Sequence, residues 1–208
     1  MSENEKRPQS LSADWDWNVF FDNVNDPEIR TTLRIALEYL GEGKNRQAID
    51  LGCGHGNDTV HILAAGFKVL AVDKSADGLQ RLVSRETLIN RWNLKILESG
   101  FDILDMPEAA FINASYALPF LDEDFFLSAW NKMIKSLASG GVFSGHLFGV
   151  KDSWNGRVAD MNFHSKEAIE TLIKPYEVLH FDELEYDGKD AAGRPKHWHV
   201  FEIVIKVD

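Results

Sequence analysis

The stretch Ala48-Ile49-Asp50-Leu51-Gly52-Cys53-Gly54-His55-Gly56-Asn57-Asp58 decides the fold. Ala48–Leu51 is a short apolar run broken by one carboxylate and reads as a buried strand. Three glycines at alternate positions follow, which let the backbone turn tightly and pass close to a ligand. A helix over Asn57–Ala65 takes up the chain, and Gly66 stops it. A second strand, Lys68–Val72, ends at Asp73, 23 positions after Asp50. A carboxylate there can accept both hydroxyls of a ribose. In open α/β sheets, ligands lie beyond the carboxyl ends of the strands, where this loop and this acid meet.

Outward from that core, the same alternation continues. Ahead of it, Asp26 caps a helix with Pro27 at its first position and Ile29, Leu33, Leu37 and Leu40 on one stripe, closed by Gly41. After it, Ser75 caps a helix carrying Leu79, Leu82 and Val83, then strands follow at Leu94–Leu97 and Phe111–Ala114. A helix over Asp122–Ala138 is broken by Gly140–Gly141 before the strand Val142–Phe148, and Ser165 caps a last helix that Pro175 ends. The tail holds two β-rich runs, Tyr176–Tyr186 and Trp198–Val207, joined through Asp187–Gly188 and Gly193 by a connection longer than a tight hairpin. The reading is α/β: a doubly wound, seven-stranded mixed sheet with a C-terminal antiparallel strand pair. Residues 26–208 read as one domain, with 1–25 as an N-terminal extension whose Trp15, Trp17, Phe20 and Phe21 can act as a lid.

Composition narrows the partners. The chain has 208 residues, 44% of them hydrophobic, which suits one substantial core. No run of about 18 apolar residues exists, and MSENEKRPQS has no apolar stretch, so neither a membrane span nor a secretory signal is expected. One cysteine, Cys53, rules out an internal disulfide and fits a cytoplasmic location. A net charge of −11 without a Lys/Arg cluster argues against nucleic acid and anionic membranes as partners. The expected partner is a small molecule; oligomeric state is not readable.

The glycine spacing selects the cofactor. Nicotinamide and flavin loops use G-x-G-x-x-G, whose third glycine falls here on Asn57, so that pattern fails. Gly52-x-Gly54-x-Gly56 fits the G-x-G-x-G loop of S-adenosylmethionine enzymes, and Asp50 before it suits a ligand with an ammonium and a sulfonium. Ala48–Asp58, Val72-Asp73, Phe101-Asp102 and Gly140-Gly141 resemble, in order, the motifs of class I methyltransferases. Within that superfamily the chain resembles small bacterial enzymes of the tellurite-resistance and thiopurine type, and Pro195-Lys196-His197-Trp198-His199-Val200-Phe201 is similar to one subgroup of them.

That resemblance implies S-adenosylmethionine as cofactor and methyl transfer as the activity. It implies that the loop Gly52, Cys53, Gly54 and Gly56, with Asp50 before it, carries the methionyl portion. Asp73, with Lys74 beside it, would take the ribose. Asp102 would accept from the adenine amino group between Phe101 and Ile103, and Asn113 and Ala114 would offer carbonyls to the ammonium. Cys53 sits there as a small side chain, not as a nucleophile.

The acceptor side is less defined. A thiolate or metalloid oxyanion needs no general base, whereas an alcohol or amine often does. Tyr116 and His146 are the candidate catalytic groups, with Trp154, Phe163 and His164 beyond them, and Arg194, Lys196 and His197 as candidate basic groups. Arg30 reads either as a partner of the cofactor carboxylate or as a solvated helix residue. His197 and His199 share a strand face, but no third ligand is assignable and no metal is expected. Asn113-Ala114-Ser115-Tyr116 faintly resembles the N-P-P-Y motif of nucleic-acid enzymes, without its prolines. A non-catalytic S-adenosylmethionine-binding sensor is the alternative function.

Overall fold

The computed structural model describes residues 17–23, 28–100 and 104–208. The expected adenine-side residues Phe101, Asp102 and Ile103, the cap Asp26-Pro27 and Trp15 lie outside them. Seven strands form one mixed sheet in the order β3-β2-β1-β4-β5-β7-β6: β1 Gln47–Leu51, β2 Lys68–Asp73, β3 Leu94–Glu98, β4 Ala109–Ala114, β5 Leu137–Phe148, β6 Glu177–Lys189 and β7 Pro195–Lys206. β1 to β5 are parallel, and β7 joins β5 and β6 antiparallel. The winding reverses between β1 and β4, which places the ligand crevice above their carboxyl ends.

Alternation along the strands divides the core. Ala48, Phe111, Val142 and Val204 face Leu33, Ile62, Leu63 and Leu82 from helices α2 Thr31–Leu40, α3 Asn57–Ala64 and α4 Ala76–Ser84. Their neighbours Ile49, Ile112, Phe143 and Ile203 turn to the other face, against Trp130 and Met133 of α5 Glu123–Lys135 and Ile169 of α6 Lys166–Ile173. Ser75 and Ser165 cap their helices as the sequence suggests, and Asp122, read as a first helical residue, is the cap of α5; each accepts a backbone N–H near the helix start.

Three boundaries depart from the sequence reading. α2 begins at Thr31, because Arg30 is extended (φ −62°, ψ 146°). Gly140–Gly141 does not separate helix from strand: α5 ends at Lys135, β5 starts at Leu137, and the glycines form a bulge where the β4 register jumps from Leu137 to Val142. Asp187–Gly188 is not a turn either. Both residues lie inside β6, paired with His197 and Lys196, and the turn is the five residues Asp190–Arg194. There the Asp190 carboxylate accepts from the Ala192 and Arg194 amides and from Arg194 Nε, which closes the connection more tightly than expected.

A short helix, α1 Trp17–Asn23, lies over α4 and the strand ends. Phe21 is buried against Gly54 and Gly78, where a Cβ would fall 3.1 Å and 2.8 Å from its ring. Asp22 pairs with Arg81 at 2.6 Å, and Asn23 donates to the Ala191 carbonyl in the β6–β7 turn. α1 therefore ties the helical layer to the hairpin across the crevice.

Candidate active site

A cavity of about 1000 Å³ opens above the carboxyl ends of β1, β2 and β4. One end is lined by Gly52, Cys53, Gly54, Asp73, Lys74 and Ser75, and the other by Tyr116, Phe120, Phe148, Trp154, Tyr186 and Trp198.

The loop end is built by positive φ angles: Gly52 at 64°, Gly54 at 53° and Gly56 at 87°. Gly56 starts α3 from the left-handed region, and a Cβ on it would fall 2.2 Å from Leu82 Cδ1. Its role is packing; it does not line the cavity. Several loop amides are committed inside the protein: Cys53 N–H donates to the Val72 carbonyl, Gly56 N–H to the Cys53 carbonyl and Gly54 N–H to Asp73 Oδ2. Asp73 Oδ1 accepts from Ser75 N–H at 2.8 Å. Each carboxylate oxygen keeps a second lone pair, so the group can still accept two hydroxyls. Burial pushes its pKa above the ordinary carboxylate value. Burial and the nearby carboxylates Asp50 and Asp73 push the Cys53 thiol well up, which leaves it a poor nucleophile.

Below the loop runs a polar row that the sequence reading missed. Asp50, Asn113 and Ser144 are register neighbours on β1, β4 and β5, all fully or almost fully buried. Asn113 Nδ2 donates to Asp50 Oδ1 at 2.9 Å and to Asp58 Oδ2 at 3.1 Å, and its Oδ1 accepts from Ser144 Oγ at 2.8 Å. Thr59 Oγ1 donates to Asp50 Oδ2. Desolvation, with the Asp58 charge close by, raises the Asp50 pKa to about 7. The Asn113 side chain thus holds two carboxylates; it and Ala114 are buried under the cavity rather than lining it. Gly145 keeps the Ala114 carbonyl clear, since a Cβ there would fall 2.8 Å from that oxygen. The signal was present: β1, β4 and β5 each carry a polar residue at the same parity, two positions after Ala48, Phe111 and Val142.

Arg30 is neither a solvated helix residue nor free. Its Nε lies 3.3 Å from Asp58 Oδ1 and its guanidinium sits 5.1 Å over the Tyr116 ring. Tyr116 adopts a left-handed backbone (φ 53°) that turns its ring into the cavity. Burial raises its hydroxyl to about 12, so it stays protonated near neutrality. His146 is corrected: 1% exposed, it stacks behind Tyr116 at 4.1 Å and 13° and does not line the cavity. Desolvation holds its pKa below the usual value, and its Nε2 faces Glu202 at 3.8 Å, with His180 on the other Glu202 oxygen.

The remaining acceptor-side expectations divide. Trp154 lines the cavity, whereas Phe163 packs on Phe148 and His164 turns to Asn162 Oδ1 at 2.8 Å. Arg194 is tied to Asp190, and His197 to Asp187 at 2.7 Å and Glu185 at 3.4 Å. Lys196 is fully buried: its ammonium donates to Asp152 and lies 3.8 Å over the Trp154 ring and 4.2 Å over Trp198. His199 pairs with Glu183, and among the described residues no group of His, Cys, Asp and Glu is arranged to hold a metal.

The sheet order, with a glycine loop at the β1 end and an acid at the β2 end, is that of the class I methyltransferase fold. The chain belongs to the TehB family, since residues 16–144 match the model of tellurite resistance protein TehB. Among solved structures, TehB from Haemophilus influenzae superimposes with a TM-score of 0.73 at 16% identity, over 86% of this chain. The chain spans 63% of the length of that TehB chain. The 1,6-didemethyltoxoflavin-N1-methyltransferase of Burkholderia thailandensis gives 0.66 at 18% identity, over 95% of this chain and 88% of its own. The N-methyltransferase NodS of Bradyrhizobium japonicum WM9 gives 0.63 at 15%, over 85% and 92%. No curated protein matches by sequence. Among the described residues no helix is long and apolar enough to cross a membrane.

Proposed function

We propose that this protein transfers a methyl group from S-adenosylmethionine to a small organic or inorganic acceptor. The observation that carries the reading is one continuous cavity with a glycine loop and ribose-type acid at one end and a wall of aromatic rings at the other. The residues fit the cofactor: Gly52 and Gly54 bring bare backbone to the cavity, and Asp73, steered by Gly54 and Ser75, keeps lone pairs for two hydroxyls. Asp58, and Asp50 once deprotonated above about pH 7, supply negative charge beneath the place for an ammonium, and Lys74 flanks the ribose end. When bound, the cofactor supplies an electrophilic methyl carbon.

The chain's own contribution is alignment and exclusion of water. Phe21 and α1 cover the loop, and Tyr116, braced between Arg30 and His146, separates the two ends of the cavity. Tyr116 acts as a wall and hydrogen-bonding group, and no base role is assigned to His146. The test is calorimetric titration with S-adenosylmethionine, S-adenosylhomocysteine and NAD, followed by a turnover screen across thiols, tellurite and small amines. Micromolar binding of both adenosyl ligands without NAD, with S-adenosylhomocysteine formed on turnover, supports the reading. Binding of NAD alone refutes it, and binding without turnover of any acceptor favours the sensor alternative.

A further inference from the structure

The acceptor end of the cavity has a composition that selects its ligand. Tyr116, Phe120, Trp154 and Trp198 face it, with Phe148 behind them and Tyr186 parallel to Trp198 at a centroid distance of 6.4 Å and 20°. These rings are held rather than loose. Phe148 contacts Trp154 at 6.1 Å and Trp198 at 5.8 Å, and Trp154 contacts Trp198 at 5.7 Å. The Lys196 ammonium, seated under both tryptophans and bound to Asp152, fixes them from behind.

A small oxyanion entering that chamber would lose its hydration and would need cations in return. Most of the cations on this side are committed to acids, while Lys189 at the hairpin tip and Lys74 beside Asp73 also line the cavity. Lys196 is sealed behind the tryptophans with Asp152, Arg30 is paired with Asp58, and Arg194 and His197 are turned to acids of the hairpin. The lining also carries Asp122, whose carboxylate repels an anion. A flat ring has the opposite balance: it gives up little hydration and gains face and edge contacts with several aromatic walls.

We infer that the methyl acceptor is a small organic molecule carrying a flat ring, stacked against the Trp154–Trp198 wall, and not a metalloid oxyanion. The inference rests on the methyl-transfer reading for the nucleophile, but on the chamber's rings alone for recognition.

The experiment compares benzyl thiol with cyclohexylmethanethiol, which share a nucleophile and a size but differ in flatness, and adds potassium tellurite. Each is titrated into the protein with and without S-adenosylhomocysteine, with tryptophan fluorescence as the readout, and each is then offered with S-adenosylmethionine. The flat thiol is expected to bind about tenfold more tightly than the saturated one, as stacking on one or two aromatic faces provides. It should quench tryptophan fluorescence and be the preferred acceptor, and Trp198→Leu should remove the difference while leaving S-adenosylhomocysteine affinity unchanged. Equal binding of the two thiols by the wild-type protein, or preferential binding or methylation of tellurite, overturns the inference without any variant. Failure of S-adenosylhomocysteine to bind, with the thiol preference intact, instead overturns the cofactor reading.

Discussion

The buried pair Lys196–Asp152 gives the sharpest energetic prediction. Both side chains are fully excluded from solvent, and among the described residues the charge facing the ammonium at hydrogen-bond range is the Asp152 carboxylate. Asp152→Asn keeps the shape and the acceptor oxygen for the Trp154 amide, now accepted at 2.9 Å, but leaves a buried ammonium without its counter-charge. Breaking one partner of a buried ion pair costs about 3–5 kcal/mol. For a chain of this length that corresponds to a fall in Tm of roughly 6–20 °C, at about 2–4 °C per kcal/mol. Cation–π contacts to Trp154 and Trp198 offset part of this, which places the expectation toward the lower half of the range. Lys196→Met alone strands the carboxylate and should cost a similar amount. Removing both charges together should cost clearly less than the sum of the two. Urea denaturation of the three variants closes the cycle. Single losses below about 1 kcal/mol, the size seen for exposed pairs, would refute the sealed-pair reading.

Three further outcomes follow from the site. Asp73→Ala should weaken S-adenosylmethionine binding by more than about tenfold in calorimetry; unchanged affinity in a folded variant removes Asp73 from the site. Gly56→Ala places a Cβ 2.2 Å from Leu82 Cδ1 at a φ of 87°, and should cost about 1–3 kcal/mol in chemical denaturation, with the Gly56→Ala/Leu82→Ala double variant losing less than the sum of the two single variants. Asp50 titrates near 7 in the folded protein against 3.8 as a free side chain, so the folded state holds the extra proton between those values. Its contribution to stability is therefore complete below about pH 4 and is lost as pH rises toward 7. Asp50→Asn should flatten that decline in Tm across the window, and an unaltered slope would assign the decline to other groups.

The glycine-loop end of the cavity was legible because its signals are local. The glycine loop, the acid 23 residues on and the Ser75 cap each depend on backbone conformation or strand ends that a short stretch of chain determines. What escaped is set by the environment across the sheet. Gly140–Gly141 reads as a break, yet it is a bulge, because pairing with β4 and β7 on either side holds the strand together. Asn113 reads as a backbone carbonyl that accepts from an ammonium, and only the parallel register of β1, β4 and β5 reveals its side-chain amide between Asp50 and Asp58. His146 and Lys196 read as reachable groups of the acceptor side because polar residues usually face water. Tyr116 covers the first, and Trp154 and Trp198 cover the second.

The hairpin of β6 and β7 outruns its neighbour. β7 pairs with β5 only from Val200 to Lys206, while its pairing with β6 continues out to Pro195 and Lys189. The overhang carries Trp198 and Tyr186, and Lys189, Asp190 and Ala191 at its tip also border the cavity. Chamber depth is therefore set by ribbon length, independently of the strands that bear the glycine loop and Asp73. Adding or deleting one residue pair per strand keeps the inward and outward faces in place over the sheet and raises or lowers the far wall by one cross-strand step. A single-residue change in one strand would turn Trp198 outward and empty the wall. Chamber size in this architecture can thus drift by paired insertions at the hairpin tip while the glycine-loop end stays untouched.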